Sequence, residues 1–287
     1  MRHLRFALGV CLAVVAVVIP LHAAELEPLP ETGDTVAMLM ERVYREKSRP
    51  RASIIAVDWE DSEFIIPAAG SLQGNQGTYY RSDVTLANRR SITQKIAVLW
   101  IAQGVNNGSS PVMYFNLAPA TAVFQADFVA TALGKTGLGS IVVIGVDAAN
   151  NPDSNAQLDG FSRIWTPQPN ATGTVSQEFA AVAYQDSLAT SYGYGLRQDA
   201  QYRTNIGFVN LYSTPNTFTT TIIGTGGTTT FTQDVLPYSM QQRGVPAGNW
   251  GNFFVRVNSA PTNFNWWSAY ASSTDNLTGD GWVSHIH

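Results

Sequence analysis

An internal repeat constrains this chain more than any other feature. Tyr80-Arg81-Ser82-Asp83-Val84-Thr85-Leu86-Ala87-Asn88 lies against Tyr202-Arg203-Thr204-Asn205-Ile206-Gly207-Phe208-Val209-Asn210 without a gap, at an offset of 122 residues. In both copies the apolar positions alternate, Val84 and Leu86 matching Ile206 and Phe208. That is the period of a strand with one buried face. The likeness extends downstream: Phe124, Asp127 and Gly137 match Phe231, Asp234 and Gly244 at an offset of 107, residues 141–146 match 252–257, and Trp165 with Thr172-Gly173 matches Tyr270 with Thr278-Gly279. Upstream, Ser71-Leu72 resembles Ser187-Leu188, which puts the boundary near Tyr184. A unit of about 100 to 120 residues has the size of a β-sandwich and is far longer than a solenoid repeat.

The repeated region is rich in Thr, Val, Ile, aromatic residues, Gly and Asn, in short runs broken by turn residues. It predicts an all-β fold of two tandem β-sandwich units of immunoglobulin-like size, residues 62–183 and 184–287, each with about seven strands. Two halves of one pseudo-symmetric sandwich are the alternative arrangement. Residues 217–233, with Gly224-Thr225-Gly226-Gly227 between threonine-rich flanks, read as a hairpin with an exposed tip.

Ahead of the repeat, Arg2 and Arg5 precede an apolar stretch over residues 6–21, and His22-Ala23-Ala24 puts small residues before a polar segment. This layout predicts a secretory signal peptide over residues 1–24. Sixteen residues containing Pro20 fall short of the roughly 20 needed to span a bilayer, and the bulky Val10 before Cys11 argues against lipidation. Cleavage would leave a chain with no integral span, expected to be secreted, periplasmic or on the cell surface. Residues 25–61 form a spacer in which Val36, Leu39, Met40 and Val43 make the apolar stripe of a short amphipathic helix, with Asp34 placed to cap it. Ten of the 21 acidic residues fall within 25–63, a composition shift that makes this region a docked arm or spacer rather than a domain.

Several chemistries are excluded. The single cysteine, Cys11, would leave with the signal, removing disulfides, thiolate nucleophiles and cysteine metal ligands. His3 and His22 would leave too, and His285 and His287 alone do not support a Ser-His-Asp triad or a multi-histidine zinc site. Without residues 1–24 the chain has 15 basic and 21 acidic residues, with no basic run, so nucleic acid is not an expected partner.

The candidates that remain are few. Arg81 with Asp127 and Arg203 with Asp234 are expected to form structural charge pairs, since Arg suits bidentate pairing at partly buried sites. A sugar- or carboxylate-binding site in each unit is the functional alternative. Adjacent Trp266 and Trp267 must point to opposite faces of a strand, so one of them, with Tyr270, is a candidate platform for stacking on sugar rings. Asp275, Asn276 and Asp280, and the loop from Asp147 to Asp159, offer the hard oxygen ligands that calcium takes, without EF-hand spacing. Calcium is the one cofactor these residues suggest. Carboxylate-dependent glycoside hydrolysis needs only two acids, with Asp83, Asp127 and the cluster Asp58, Glu60, Asp61 and Glu63 available. Asn107, Asn170 and Asn276 head glycosylation sequons, relevant in a eukaryotic host.

The paired Tyr-Arg-Ser/Thr-Asp/Asn strands and the terminal Tyr270-Ala271-Ser272-Ser273-Thr274-Asp275-Asn276-Leu277-Thr278-Gly279-Asp280 carry a resemblance. Over residues 62–287 the chain resembles poorly characterised exported bacterial tandem β-sandwich proteins with arginine-led strands and a closing Asp-Asn-x-Thr-Gly-Asp segment. The resemblance implies architecture and export, with no established activity and no catalytic residues. The first unit departs from it at Trp165-Thr166-Pro167 and Thr172-Gly173-Thr174, so a site on the terminal acidic loop would belong to the second unit alone. The expected function is non-enzymatic adhesion or ligand binding, to a glycan or a surface protein. An envelope scaffold and a glycosidase are the alternatives.

Overall fold

The computed structural model describes residues 26–48, 61–74, 77–168, 172–183, 189–259 and 266–287. The expectations for residues 1–24, Asp58, Glu60, Asn170 and the junction at 184–188 lie outside these residues.

The chain is all-β with two helices among the described residues. A two-residue β1 (Glu27–Pro28) and α1 (Val36–Lys47) come first. The first unit contains β2 (Glu63–Gln73), β3 (Tyr79–Asn88), β4 (Gln94–Ala102), β5 (Met113–Leu117), β6 (Thr121–Gln125), the one-turn α2 (Phe128–Thr131), β7 (Gly137–Val146), β8 (Leu158–Pro167) and β9 (Thr174–Ala180). The second contains β10 (Thr190–Gln198), β11 (Tyr202–Asn210), β12 (Asn216–Gly224), β13 (Gly227–Val235), β14 (Ser239–Gly244), β15 (Gly251–Ser259), β16 (Trp267–Asp275) and β17 (Gly281–Ile286).

In the second unit the sheets run β10-β15-β12-β13 and β14-β11-β16-β17. The first unit follows the same order strand for strand, β2-β7-β4-β5 and β6-β3-β8-β9, with β1 added outside β5. Its two sheets also join where Leu72 and Gln73 of β2 pair with Tyr80 and Tyr79 of β3.

Side-chain chemistry repeats as well. The Asn88 amide donates to the carbonyls of Ile92, Leu117 and Ala118 while its oxygen accepts the Arg90 N–H. Asn210 does the same with Thr214, Val235, Leu236 and Tyr212. Each asparagine therefore ties the turn after its own strand to the end of a strand in the facing sheet.

These anchors correct the downstream alignment. Asp127 and Phe124 belong to β6 and its following turn, whereas Asp234 and Phe231 lie on β13, the counterpart of β5. Gly137 opens β7 while Gly244 closes β14. Ile141 faces Trp100 as Val255 faces Ile222, so the counterpart of Ile141 is Val255 and not Asn252. Arg81 faces Trp165 as Arg203 faces Thr274, so Trp165 corresponds to Thr274 and not Tyr270.

The helix stripe is Val36, Leu39, Met40 and Val43, all fully buried. Thr35, not Asp34, is the N-cap, its hydroxyl accepting the Met38 N–H. Asp34 instead holds the helix to the sheet: its carboxylate accepts from Arg42, the Tyr114 hydroxyl, Asn150 and Thr32. Lys47 at the other end pairs with Glu63 of β2. Second-unit residues Val209, Leu211, Tyr238, Met240, Trp266 and Tyr270 join the first unit and α1 in one apolar cluster. Because β4 and β7 are buried on both faces, they read as continuous apolar runs, Ile96–Ile101 being without a polar residue.

Candidate functional site

The counterpart sheets of the two units are covered differently. In the first unit, α1 and the second unit lie over the face of β2, β7, β4 and β5 that points away from β3 and β8; Glu63 and Tyr114 on that face bond to Lys47 and Asp34. In the second unit the same face, on β10, β15, β12 and β13, carries exposed or half-buried side chains along most of its length. Ile65, Ser140 and Val142 are buried in the first unit, and their counterparts are Tyr192, Phe254 and Arg256.

A β-bulge sets the geometry. The register of β10 against β15 shifts between Gly193 and Leu196, and that of β2 against β7 shifts between Ile66 and Ala69, the counterpart positions. In the first unit the bulge holds buried Pro67 and Ala68, where proline is tolerated because the ladder is already interrupted. In the second it holds Tyr194 and Gly195. A bulge re-aims a side chain, and here Tyr194 is 58% exposed. Gly195 takes a left-handed φ of 70°, which a side chain other than glycine adopts only with strain. A Cβ on Gly193 would lie 2.8 Å from the Ile286 side chain. From behind, Ser284 Oγ accepts the Tyr194 N–H at 3.1 Å and Trp282 Nε1 donates to the Gly195 carbonyl at 2.8 Å. The bulge is thus braced from behind by β17.

Three rings form a strip across it. Tyr192 and Tyr194 stack at 6.1 Å and 15°, and Tyr194 and Phe254 at 5.8 Å and 27°. Arg256 lies directly across from Tyr192 and two residues along β15 from Phe254, on the same face. Successive rows beyond it bring Thr221 and Thr230, Asn258, Thr219 and Thr232, and Ile223 and Thr228. No acid occupies these rows.

No protein-family model and no curated protein sequence matches this chain.

The residues singled out by sequence are elsewhere. Trp266, Trp267 and Tyr270 are 3%, 0% and 0% exposed, which removes the expected platform. Trp266 packs edge-on against Tyr44 at 4.6 Å under the Lys47 ammonium, sealing helix and units together. Trp267 meets Phe218 in the core of the second sandwich. Tyr270 meets Phe179 of the first unit at 5.1 Å and donates to Gln242; burial pushes its hydroxyl far above the usual tyrosine range.

Arg81 Nε lies 3.7 Å from Asp127 and its guanidinium sits over Tyr79 and near Trp165. Arg203 does not meet Asp234: it donates to Asn276, while Asp234 accepts from Thr217 at the far end of the other sheet. Asp275 caps its own loop, accepting the N–H groups of Leu277 and Thr278, bonds that hold its carboxyl below the usual range. Asp280 accepts the Gly281 N–H. No cluster of three or more His, Cys, Asp or Glu suited to a metal occurs among the described residues. In the other acidic loop, Asp147 caps Ala149 and Asn151, and Asp153 pairs with Arg90. Asn107 is 4% exposed and donates to the carbonyls of Ala102, Val105 and Tyr238, so its amide is spent on the inter-unit contact.

The hydrogen bonds they accept hold the carboxyls of Asp34, Asp199 and Asp275 below the usual range, opposite to the direction a glycosidase general acid needs. No helix among the described residues is long and apolar enough to cross a membrane. The signal for the strip was present in Tyr192-Gly193-Tyr194-Gly195, because glycines inside an apparent strand mark a bulge or a close approach.

Proposed function

We propose that this chain is an exported or cell-surface, non-enzymatic β-sandwich protein that binds a glycan through Tyr192, Tyr194 and Phe254. The observation that carries this reading is the repeated bulge, used in one unit to bury Pro67 and Ala68 and in the other to present Tyr194 to solvent. Aromatic rings on a rigid strand offer large apolar area at low entropic cost, which suits the faces of sugar rings. Threonine and asparagine side chains beside the strip supply donors and acceptors for hydroxyls. The first unit stiffens the second, because the face opposite the strip is committed to the inter-unit core.

The test is to incubate residues 25–287 with insoluble polysaccharides and cell-wall fractions, measuring both retained protein and released sugar. Retention without release, lost in Tyr194→Ala at unchanged melting temperature, is the expected result. Released sugar would overturn the non-enzymatic reading. Retention unaffected by Tyr194→Ala would remove the strip, and no retention on any fraction would remove the glycan.

A further inference from the structure

Resting on that glycan-binding reading, we infer that the preferred ligand is an acidic polysaccharide, whose sugar carboxylates are taken by Arg256.

Arg42, Arg81, Arg89, Arg90, Arg163 and Arg197 each have an acidic partner, or in the case of Arg42 and Arg90 an acid and further acceptors. Arg45 pairs with Glu41, Arg203 donates to Asn276, and Arg243 donates to backbone carbonyls. Arg256 is the one described arginine whose guanidinium has no hydrogen bond or ion pair among the described residues, and it is exposed.

Its position gives that freedom a use. Arg256 faces Tyr192 across the strand pair and shares a face with Phe254, so it borders the aromatic strip. Directly opposed side chains on adjacent strands have Cβ atoms about 4.5–5.5 Å apart. A sugar stacked on the strip therefore places its ring substituents within reach of the guanidinium. The neighbouring residues of β12 and β13 are Thr219, Thr221, Ile223, Thr228, Thr230 and Thr232, none of which competes as an anion. In the first unit the counterpart is buried Val142, so the charge belongs to the open face and not to the shared architecture.

Chemistry narrows the ligand. Guanidinium is planar, stays charged, and matches a carboxylate with two parallel N–H donors. A uronic acid joins that carboxylate to a pyranose ring, combining both things the face offers. The 15 basic and 21 acidic residues of 25–287 leave a net charge of −6 that opposes a polyanion at long range, so the preference must be local and will weaken as salt screens it.

Affinity electrophoresis of residues 25–287 through gels containing polygalacturonate, a sulfated dextran or a neutral cellulose ether tests the inference. Expected are tightest binding to polygalacturonate, a loss of at least about tenfold on that polymer in Arg256→Gln, and a much smaller loss on the neutral polymer, so that the preference for the acidic one disappears. Tyr194→Ala should weaken binding to both, and Arg256→Lys should restore only part of the acidic preference. Equal or tighter binding to the sulfated polymer would overturn the carboxylate assignment. An Arg256→Gln variant matching the parent on polygalacturonate would overturn the role of Arg256 while leaving glycan binding in place. Retardation by none of the three polymers would overturn both readings.

Discussion

Replacing Asn210 with aspartate tests whether the repeated asparagine is a polar lock or merely a buried residue of the right size. Asn210 is fully buried, and its amide group shares two hydrogens among the carbonyls of Thr214, Val235 and Leu236 at 2.9, 3.3 and 3.0 Å. Its oxygen accepts the Tyr212 N–H at 3.0 Å. Truncation to alanine strands these groups in a site closed to water. At about 1 kcal/mol per lost bond, and somewhat more for the groups left unpaired, Asn210→Ala should cost about 3 kcal/mol. For a protein of this size that lowers the melting temperature by about 6–12 °C. Aspartate keeps the shape and the acceptor but turns an anionic oxygen toward three carbonyls, so Asn210→Asp should be worse than alanine despite being nearly isosteric. Asn88 makes the same four bonds in the first unit, and its variants should follow the same order. Urea unfolding at neutral pH, followed by tryptophan fluorescence, gives the ranking. An aspartate variant as stable as the parent, or more stable than the alanine variant, at either position would refute the reasoning.

Three further outcomes are expected. Burial alone would raise the Asp34 carboxyl, but hydrogen bonds from Arg42, Tyr114, Thr32 and Asn150 outweigh it and hold the group well below the usual carboxylate range. Because the folded value lies below the unfolded one, its contribution is complete above the usual carboxylate range and is lost as pH falls through and below it. Asp34→Asn should therefore lower stability at pH 7 and flatten the acid limb of the stability profile; an acid limb identical to the parent's would show that Asp34 does not set it. Trp266→Ala should cost about 3–5 kcal/mol and split calorimetric unfolding into two transitions, one per sandwich, whereas the parent, with its shared inter-unit core, should give one. A Cβ at position 207 would lie 2.1 Å from the Tyr270 ring, which Phe179 and Gln242 hold in place. Gly207→Ala should lose about 1–3 kcal/mol, and much less when Tyr270 is already alanine, as a double-mutant cycle would measure.

The helix was legible because one physical demand, burying a stripe, acted on it: Val36, Leu39, Met40 and Val43 are all fully buried. The repeat was legible at β3 and β11 for a related reason, since the asparagine locks fix both register and loop length there. Beyond them the offset changes as loops differ in length, and β7, buried on both faces, has no alternation to reveal a slip along the strand. Phe124 and Phe231 could thus be matched although they occupy different strands. Trp266, Trp267 and Tyr270 were misjudged because alternation tells which residues share a face and not what covers it. The face of β16 that would be solvent-exposed in an isolated sandwich is the inter-unit contact here, with Tyr270 lying over Gly207 against Phe179. The Tyr192-Gly193-Tyr194-Gly195 bulge was written in the chain, but its meaning depended on β15 and β17, which pair with it or brace it from distant sequence.

Duplication explains why the open face is informative. The two units carry the same strand order, the same bulge and the same asparagine lock, so the features needed to fold this sandwich can be read from what both retain. Where the counterpart sheets diverge, coverage decides the composition. The covered sheet presents Ile65, Val142 and Ile144 to α1 and the second unit, and burial of such side chains stabilises at about 25 cal/mol per Å². The open sheet has no such demand, and solubility alone would favour polar residues throughout it. Threonine, asparagine and arginine meet that demand on most of the face, yet Tyr192, Tyr194 and Phe254 stand together at one edge. Folding does not require an exposed tyrosine at the bulge, since the first unit closes the same bulge with Pro67 and Ala68. On the glycan-binding reading proposed above, the aromatic strip and Arg256 beside it are what recognition adds to a shared scaffold, and substitutions at the exposed Tyr194 and Arg256 should change binding while leaving the melting temperature within about 1 °C.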